Sequence, residues 1–264
     1  MSKLKKFRQA ISAIVRQPSL LNVIIDENTQ RAQQFYKKYP KQQPLPQISL
    51  VDVLKANSVD LFFLDGASLP TDIALLKSLA RGKQSYFEIG TWRGESVWNI
   101  AKVIDYCTTL NLSKNEINRL GLDPAYADLH GVLSKRNPKI KHLEANSKTF
   151  DFAGLNKKYD LIFIDGDHSY EMVKNDSEKI FQHLIHDDSM IVWHDYGYNP
   201  EKVRYEVFQA ILDGTPQEFH KNLYHVSNTM CAVFSRQNFK TKPFKNFNNQ
   251  PFIFELNIQP SFLE

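Results

Sequence analysis

Acidic and histidine side chains follow two apolar segments in the second half of the sequence. Asp165-Gly166-Asp167-His168 comes after YDLIFI, and His194-Asp195 comes after SMIVW. The carboxyl ends of neighbouring parallel strands meet at one edge of a sheet, so we expect these groups to share one cleft. Asp and His side chains bind divalent ions, and a histidine exchanges a proton near neutral pH. The cluster therefore predicts either a metal site or general-base chemistry.

A glycine turn follows an earlier strand-like run. Gly90 and Gly94, two of only ten glycines, come directly after SYFEI. Such a turn indicates either a ligand at the end of a parallel strand or a tight connection without a ligand. Trp92 stands where a dinucleotide fingerprint needs its second glycine, and no Gly-Lys-Ser/Thr sequence ends the turn. A ligand without a diphosphate fits better, and S-adenosylmethionine (SAM) is the common candidate.

Polar residues near the strand ends match the parts of SAM. Glu88 is predicted to take the ammonium group, directly or through water. Asp123 ends LGLDP, the predicted second strand, and its carboxylate is expected to accept both ribose hydroxyls; the alternative is a turn-forming Asp before Pro124. Asn146 and Ser147 follow a further strand-like segment and are expected near the adenine edge.

The elements that position these residues alternate between strand-like and helical patterns. The alternation predicts a doubly wound, mostly parallel, Rossmann-like α/β sheet with helices on both faces. The predicted strands are SYFEIG, LGLDP, YDLIFID and SMIVWHD, and the predicted helices are ESVWNIAKVIDYC, HSYEMVKNDSEKIFQHLI and YEVFQAIL. NLYHVS and CAVFSR are predicted to form a closing hairpin. LPTDIALLKSLARG is predicted to be a helix capped by Thr71 or Asp72.

The flanks differ from this central domain, so we divide the chain into an N-terminal helical arm and linker (1–65), the α/β domain (66–236) and an irregular extension (237–264). Leu4, Phe7, Ile11 and Ile14 recur at helical spacing between basic residues, which predicts an amphipathic helix over 3–16. We expect this helix to dock on its own domain, on a partner or peripherally on a membrane. Three roles stay open for residues 1–47: a lid, a dimer arm or a membrane contact.

The composition excludes collagen-like, disulfide-stapled and wholly disordered chains. The 264 residues are 42% hydrophobic and 23% charged, which is typical of a soluble globular chain. There is no apolar run of membrane-spanning length and no secretory signal, and the two cysteines form no disulfide framework, so we expect a cytoplasmic protein. The net charge of +4 is the sum of +7 in residues 1–41 and −3 in the rest of the chain. The main domain therefore lacks a uniformly basic surface, and no nucleic-acid partner is expected. The tail is expected either to wrap the domain or to form the interface of a homo-oligomer.

Three segments carry a family resemblance. FEIGTWRGESVWNIA resembles the first motif of class I SAM-dependent methyltransferases in its catechol-type form. FIDGDHSYEMVKND and IVWHDYG resemble the family that groups macrolide-sugar O-methyltransferases with cephalosporin-hydroxylase-like proteins. The resemblance covers about residues 70–235 and implies methylation of a hydroxyl on a small-molecule or glycan acceptor. The implied cofactor residues are Glu88, Gly90, Thr91, Trp92, Gly94, Ser96, Asp123, Asn146, Ser147 and Asp165.

The resemblance also implies a catalytic group. A magnesium site would use Asp165 and Asp195, with His194 where an acidic residue usually stands. Magnesium prefers oxygen ligands, so His194 weakens the case for magnesium and leaves manganese, zinc or no metal open. His168 has the spacing of the proposed base in sugar-methylating relatives, and His194 is the alternative. Two other functions remain open: a SAM-binding scaffold without catalysis, and an oxygenase-like or hydrolytic reaction at the same cluster.

Overall fold

The computed structural model describes residues 3–16, 27–55, 57–64, 68–121, 124–245 and 252–260. The chain divides into two compact units, residues 1–42 and 43–264. The first unit contains α1 (Lys3–Arg16), which confirms the predicted amphipathic helix, and α2 (Glu27–Lys38). Within the described part of the chain, no helix combines the length and the apolar character needed to cross a membrane.

The second unit is built on a nine-stranded sheet with the order β11-β1-β9-β10-β6-β5-β2-β3-β4. The strands are β1 (Gln47–Ile48), β2 (Ser85–Ile89), β3 (Tyr106–Asn111), β4 (Ile140–Glu144), β5 (Leu161–Ile164), β6 (Met190–Trp193), β9 (Leu223–Val226), β10 (Ala232–Phe234) and β11 (Thr241–Lys242). A separate hairpin joins β7 (Gly197–Asn199) to β8 (Lys202–Val203).

Strands β6, β5, β2, β3 and β4 are parallel, and β10 pairs antiparallel with both β6 and β9. The chain leaves β2 toward β3 and β4, then returns to place β5 on the other side of β2. This reversal is the topological switch point of a doubly wound sheet, where such folds bind ligands. The doubly wound architecture and the closing β9–β10 hairpin are confirmed.

Helices cover both faces of this sheet. They are α3 (Leu50–Leu54), α4 (Pro70–Leu79), α5 (Glu95–Ile100), α6 (Lys114–Arg119), α7 (Pro124–Leu129), α8 (Tyr170–His183) and α9 (Tyr205–Gly214). Successive strand residues point to opposite faces. Val192 accordingly lies in one core cluster with Leu76 of α4, whereas the ring nitrogen of Trp193 donates to Ser177 of α8. Both cysteines, Cys107 and Cys231, are buried free thiols.

The predicted second strand is wrong. Leu120 and Gly121 follow α6 in a turn, and Pro124 begins α7. The second parallel strand is instead β3, whose first residues were assigned to the preceding helix; that helix, α5, ends at Ile100. The helical apolar spacing continues beyond Ile100, but pairing of β3 with both β2 and β4 decides the structure. The strand end next to the glycine turn is therefore Asn111.

The predicted domain boundaries stay a prediction. Two strands outside 66–236, β1 and β11, nevertheless belong to the main sheet: β1 pairs parallel with β9, and β11 pairs antiparallel with β1.

Candidate active site

A cavity of about 680 Å³ opens at the carboxyl ends of β2, β3, β4 and β5. The predicted site residues in its lining are Gly90, Thr91, Trp92, Ser96, Asn146, Ser147, Asp165 and His168. Glu88, Gly94, His194 and Asp195 do not line it. Asp123 lies outside the described residues, so its ribose role stays a prediction.

The backbone of the turn requires a glycine at position 90. Gly90 has a φ of +94°, and a Cβ placed there would lie 2.0 Å from the carbonyl oxygen of Asp165. Its N–H donates to Leu110 of β3 at 2.9 Å, while the N–H of Asp165 donates to Ile89 of β2 at 2.9 Å. The turn is thus held against the ends of both neighbouring strands, and only a glycine allows this approach.

An aromatic cluster forms one wall of the cavity. Trp92, in the left-handed region with a φ of +33°, stacks on Tyr126 with ring centroids 4.7 Å apart. His130 meets both rings edge-on. The sequence analysis used Trp92 only to exclude a dinucleotide. It missed Tyr126 and His130, because the α7 segment that positions them was not predicted as a helix.

Asn111 occupies the strand end for which the sequence analysis proposed a carboxylate. Its Oδ1 accepts the N–H of Thr91 at 3.3 Å, and its Nδ2 lies 2.9 Å from Nδ1 of His130. Asn111 also lines the cavity. It therefore links the glycine turn to the aromatic cluster and presents a neutral amide at the mouth of β3.

Glu88 lies beneath the turn and is fully buried. Its carboxyl group accepts hydrogen bonds from Tyr86 (2.7 Å), Ser96 (2.8 Å) and Thr109 (3.1 Å). Burial raises the pKa of Glu88 to about 8, although the three hydroxyl groups act in the opposite direction. The contact with an ammonium group stays a prediction, since this side chain supports the floor of the cavity rather than lining it.

Another buried carboxyl group lies at the predicted adenine edge. Asp176 of α8 lines the cavity beside Ser147, and Asn175 donates to it at 2.9 Å. Burial raises the pKa of Asp176 to about 6, against the hydrogen bonds from Ser147 and Asn175. The sequence analysis missed this residue, because an Asp inside a helix is ordinarily a solvent-facing side chain.

His194 is buried among three carboxylates. Its Nδ1 lies 2.9 Å from Asp195 Oδ2 and 3.2 Å from Asp165 Oδ1, and its Nε2 lies 3.2 Å from Asp72 Oδ2. Burial alone would lower the pKa of His194. The charge of Asp165 and the hydrogen bonds to all three carboxylates outweigh burial and hold the pKa well above its usual value.

Asp72 is the residue of this cluster that the sequence analysis did not find. The N-cap of α4 is Leu69, not Thr71 or Asp72 as predicted; Asp72 is the third helical residue, and its Oδ2 accepts the N–H of Leu69 at 2.8 Å. Its Oδ1 accepts the N–H of Met230 at 2.9 Å, and the side chain is fully buried. Oδ2 also lies 3.2 Å from Nε2 of His194; with a carboxylate as the acceptor, this nitrogen is the donor.

His168 connects the cluster to the cavity. Its Nδ1 lies 3.1 Å from Asp195 Oδ2, and its side chain is 38% exposed. Asp195 has a φ of +57°, a strained backbone of the kind that clusters at functional sites. Burial would raise the pKa of Asp195, but its hydrogen bond to His194 and the nearby positive charges hold that pKa below its usual value.

The structure brings together the residues predicted to share one cleft. Asp165, Asp167 and His168 line the cavity, while His194 and Asp195 contact Asp165 and His168 directly. Asp165, His194 and Asp195 offer ligand atoms that lie within 4.8 Å of one another. Such a set can hold a divalent ion or relay a proton.

Residues 87–196 match the family model described as a methyltransferase domain. No curated protein sequence matches the chain. The chain is similar to a putative caffeoyl-CoA O-methyltransferase from Staphylococcus aureus, with 17% identity, coverage of 84% of this chain and 99% of that one, and a TM-score of 0.46. It is similar to an SAH-bound methyltransferase from Podospora anserina, with 15% identity, coverage of 81% and 97%, and a TM-score of 0.48. Residues 87–196 therefore form a methyltransferase domain.

Proposed function

We propose that this SAM-dependent methyltransferase transfers its methyl group to a hydroxyl of a sugar, on a glycan or a natural product, held beside Asp165 and His168. One observation carries the proposal: these two residues line the same cavity as the glycine turn. The methyl donor and the acceptor hydroxyl would therefore share one chamber, with the charged cluster behind it.

The cavity lining fits SAM. Trp92 and Tyr126 supply an aromatic wall, and Asn146 and Ser147 supply polar atoms at the opposite strand ends. When bound, SAM supplies a methyl group activated on a positively charged sulfur. We place its ribose at Asn111, the residue that ends the second parallel strand.

His168 is the residue we assign as general base. Its Nδ1 donates to Asp195, which leaves Nε2 as the nitrogen that accepts the proton. The acceptor oxygen forms its bond to the methyl carbon as its proton moves to Nε2, and the electrons of the broken carbon–sulfur bond stay on sulfur. The products are a methyl ether and S-adenosylhomocysteine (SAH), and Asp195 stabilises the imidazolium that remains.

Asp165, His194 and Asp195 would hold a divalent ion. The donor set fits once His194 gives up the hydrogen of Nδ1 to make room for the ion: Asp72 keeps the hydrogen on Nε2, and Nδ1 faces Asp165 and Asp195. A nitrogen beside two carboxylates favours manganese or zinc over magnesium. Such an ion would increase the acidity of an acceptor hydroxyl.

Tyr198 supports a sugar acceptor. This residue of the β7–β8 hairpin, three residues after Asp195, is 47% exposed, and the guanidinium carbon of Arg204 lies 5.2 Å from its ring. Tyr196, in contrast, is core: its hydroxyl accepts the N–H of Leu45. Arg204 also lies 3.8 Å from Asp195, so it connects this exposed ring to the cluster, and the ring offers a flat face for the apolar side of a sugar ring.

Isothermal titration of chelator-treated protein with SAH tests the proposal, with and without manganese or magnesium. We expect saturable one-site binding of SAH, and a further heat from metal that is lost in Asp165→Ala and Asp195→Ala. Asp187→Ala, an exposed acid elsewhere, is the matched control. Absence of SAH binding would overturn the cofactor site. SAH binding without any metal response would leave His168 as the base acting alone.

A second pair of variants tests the ribose position. Asn111→Ala should weaken SAH binding about tenfold, as expected for one or two lost hydrogen bonds. Asp123→Ala should leave SAH affinity unchanged if Asn111 holds the ribose. The reverse result would return that role to Asp123.

A further inference from the structure

Helix α1 exposes an apolar stripe. Leu4, Phe7, Ile11 and Val15 are 61%, 63%, 46% and 74% exposed, and we call these four residues the apolar stripe. At 3.6 residues per turn they fall on one side of the helix. Exposed apolar residues are common singly, but a continuous row along one helix face indicates an interaction surface.

The rest of α1 is basic. The helix carries five cationic residues and no acidic one, namely Lys3, Lys5, Lys6, Arg8 and Arg16. Arg8 lies at the edge of the apolar stripe, and Lys6 and Arg16 lie on other sides of the helix. The partner must therefore combine an apolar interior with a negatively charged surface.

Several partners fit this combination poorly. Nucleic acid would use the cations but not the apolar stripe. Pairing of two copies through Leu4, Phe7, Ile11 and Ile14 would use only two heptads, fewer than a coiled coil usually needs, and would bring basic residues together. The 14 residues extend for about 21 Å, too short to cross a bilayer core of about 30 Å. An interfacial orientation remains.

We propose that α1 binds the surface of an anionic phospholipid bilayer, lying in the plane of the interface. The apolar stripe lies at the boundary between headgroups and acyl chains, and the cations contact lipid phosphates. The helix thereby holds the methyltransferase near a membrane. This inference does not depend on the nature of the acceptor.

Sedimentation with vesicles tests the proposal on the full chain. Vesicles of phosphatidylcholine alone are compared with vesicles that also contain phosphatidylglycerol. We expect about tenfold stronger binding to the anionic vesicles, with a loss at high salt because the headgroup attraction is screened. Equal binding to both kinds of vesicle, or binding to neither, would overturn it.

Matched variants locate the surface. Phe7→Asp should reduce vesicle binding about tenfold or more, since it removes the largest side chain of the stripe and adds a negative charge. Phe252→Asp, at a residue 50% exposed in the C-terminal segment, should bind vesicles like the wild type. Equal losses in both variants would contradict the assignment to α1.

Charge variants and light scattering complete the test. Arg8→Gln should weaken binding to anionic vesicles, whereas the exposed Lys245→Gln should not. If light scattering shows an oligomer that Phe7→Asp dissociates, the stripe binds a second copy and the membrane proposal is wrong. SAH binding should be unchanged in all these variants, which verifies that they are folded and keeps this test separate from the proposed function.

Discussion

The glycine turn and the acid and histidine cluster lie side by side but are built differently. The turn comes from one continuous stretch, residues 88–96, and its parts are local: a strand, two glycines and a helix start. The cluster takes its side chains from three separate segments: Asp72 on α4, Asp165 and His168 after β5, and His194 and Asp195 after β6. The turn shapes the cavity, and the cluster supplies the charged groups.

The same physical factor has opposite outcomes in the two regions. At Glu88, burial dominates because its partners are neutral hydroxyl groups, so its pKa rises to about 8. At His194, burial is outweighed because its partners are carboxylates, and its pKa also rises. A raised pKa keeps a carboxyl group neutral but keeps a histidine charged, so the two groups end in opposite charge states. A buried group thus keeps its charge only where opposite charges surround it.

The largest effect is expected from His168→Ala. Loss of a general base should reduce kcat by about 10² to 10⁴. SAH affinity should hardly change, because the histidine acts on the acceptor side. The measurement is methyl transfer to a panel of hydroxylated acceptors. His183→Ala, at the end of α8, is the control and should retain activity; equal rates in the two variants would remove His168 from the mechanism.

Gly90→Ala should destabilise the turn side of the site. Its Cβ would meet the Asp165 backbone at 2.0 Å, so we expect a loss of about 3 kcal/mol in the free energy of unfolding, or failure to fold. Gly82 also has a positive φ, of +77°, but nothing lies within 4 Å of its Cβ position. Gly82→Ala should therefore cost only about 1 kcal/mol. Denaturant unfolding of both variants would separate the clash from the backbone strain, and equal costs would contradict the close approach.

The sequence predicted the turn and its strands well, because their signals are local. Gly90 and Gly94 directly follow an apolar run, and β5 and β6 are continuous apolar segments that end in charged residues. It failed at β3, where helical periodicity continued past Ile100 and the strand is fixed by pairing with β2 and β4. The assignment of the ribose to Asp123 rested on the wrong strand, and it stays a prediction.

The cluster could be predicted only in part. The rule for parallel strand ends placed Asp165 near Asp195, but it says nothing of α4. Asp72 and His194 are 122 residues apart, and a local signal explains Asp72 fully as a residue of a helix start. Only the packing of α4 against the sheet reveals its distant partners, Met230 and His194.

Asp72→Asn tests how the cluster is held together. The NH2 group of the asparagine would face an N–H donor that the carboxylate now accepts from, which costs about 1 to 3 kcal/mol in the free energy of unfolding. It should also weaken metal binding about 10- to 100-fold, because His194 is no longer oriented. Denaturant unfolding and manganese titration measure the two effects. Asp52→Asn, an exposed acid in the first turn of α3, should change neither; full stability in Asp72→Asn would show that this contact does not support the site.

Glu88→Gln should give the smallest effect at low pH, where the wild-type carboxyl group is also protonated, and its dependence on pH is the informative part. A carboxyl group with a pKa of 4.5 when unfolded and about 8 when folded keeps its proton longer in the native state. The wild type therefore loses stability as pH rises through that window, by at most about 1.4 kcal/mol per pH unit. The variant lacks this loss, so its advantage should grow with pH. If the free energies of unfolding of the wild type and the variant change in parallel with pH, Glu88 is already ionised in the folded protein.

The same residue also decides whether the turn remains a neutral region once the cofactor binds. If the ammonium group of SAH contacts Glu88, its positive charge lowers the pKa of that carboxyl, and binding at neutral pH releases a proton. The binding enthalpy would then vary with the ionisation enthalpy of the buffer in the wild type but not in Glu88→Gln. A buffer-independent enthalpy in both proteins would mean that Glu88 only supports the turn from below, as its three hydroxyl partners already do.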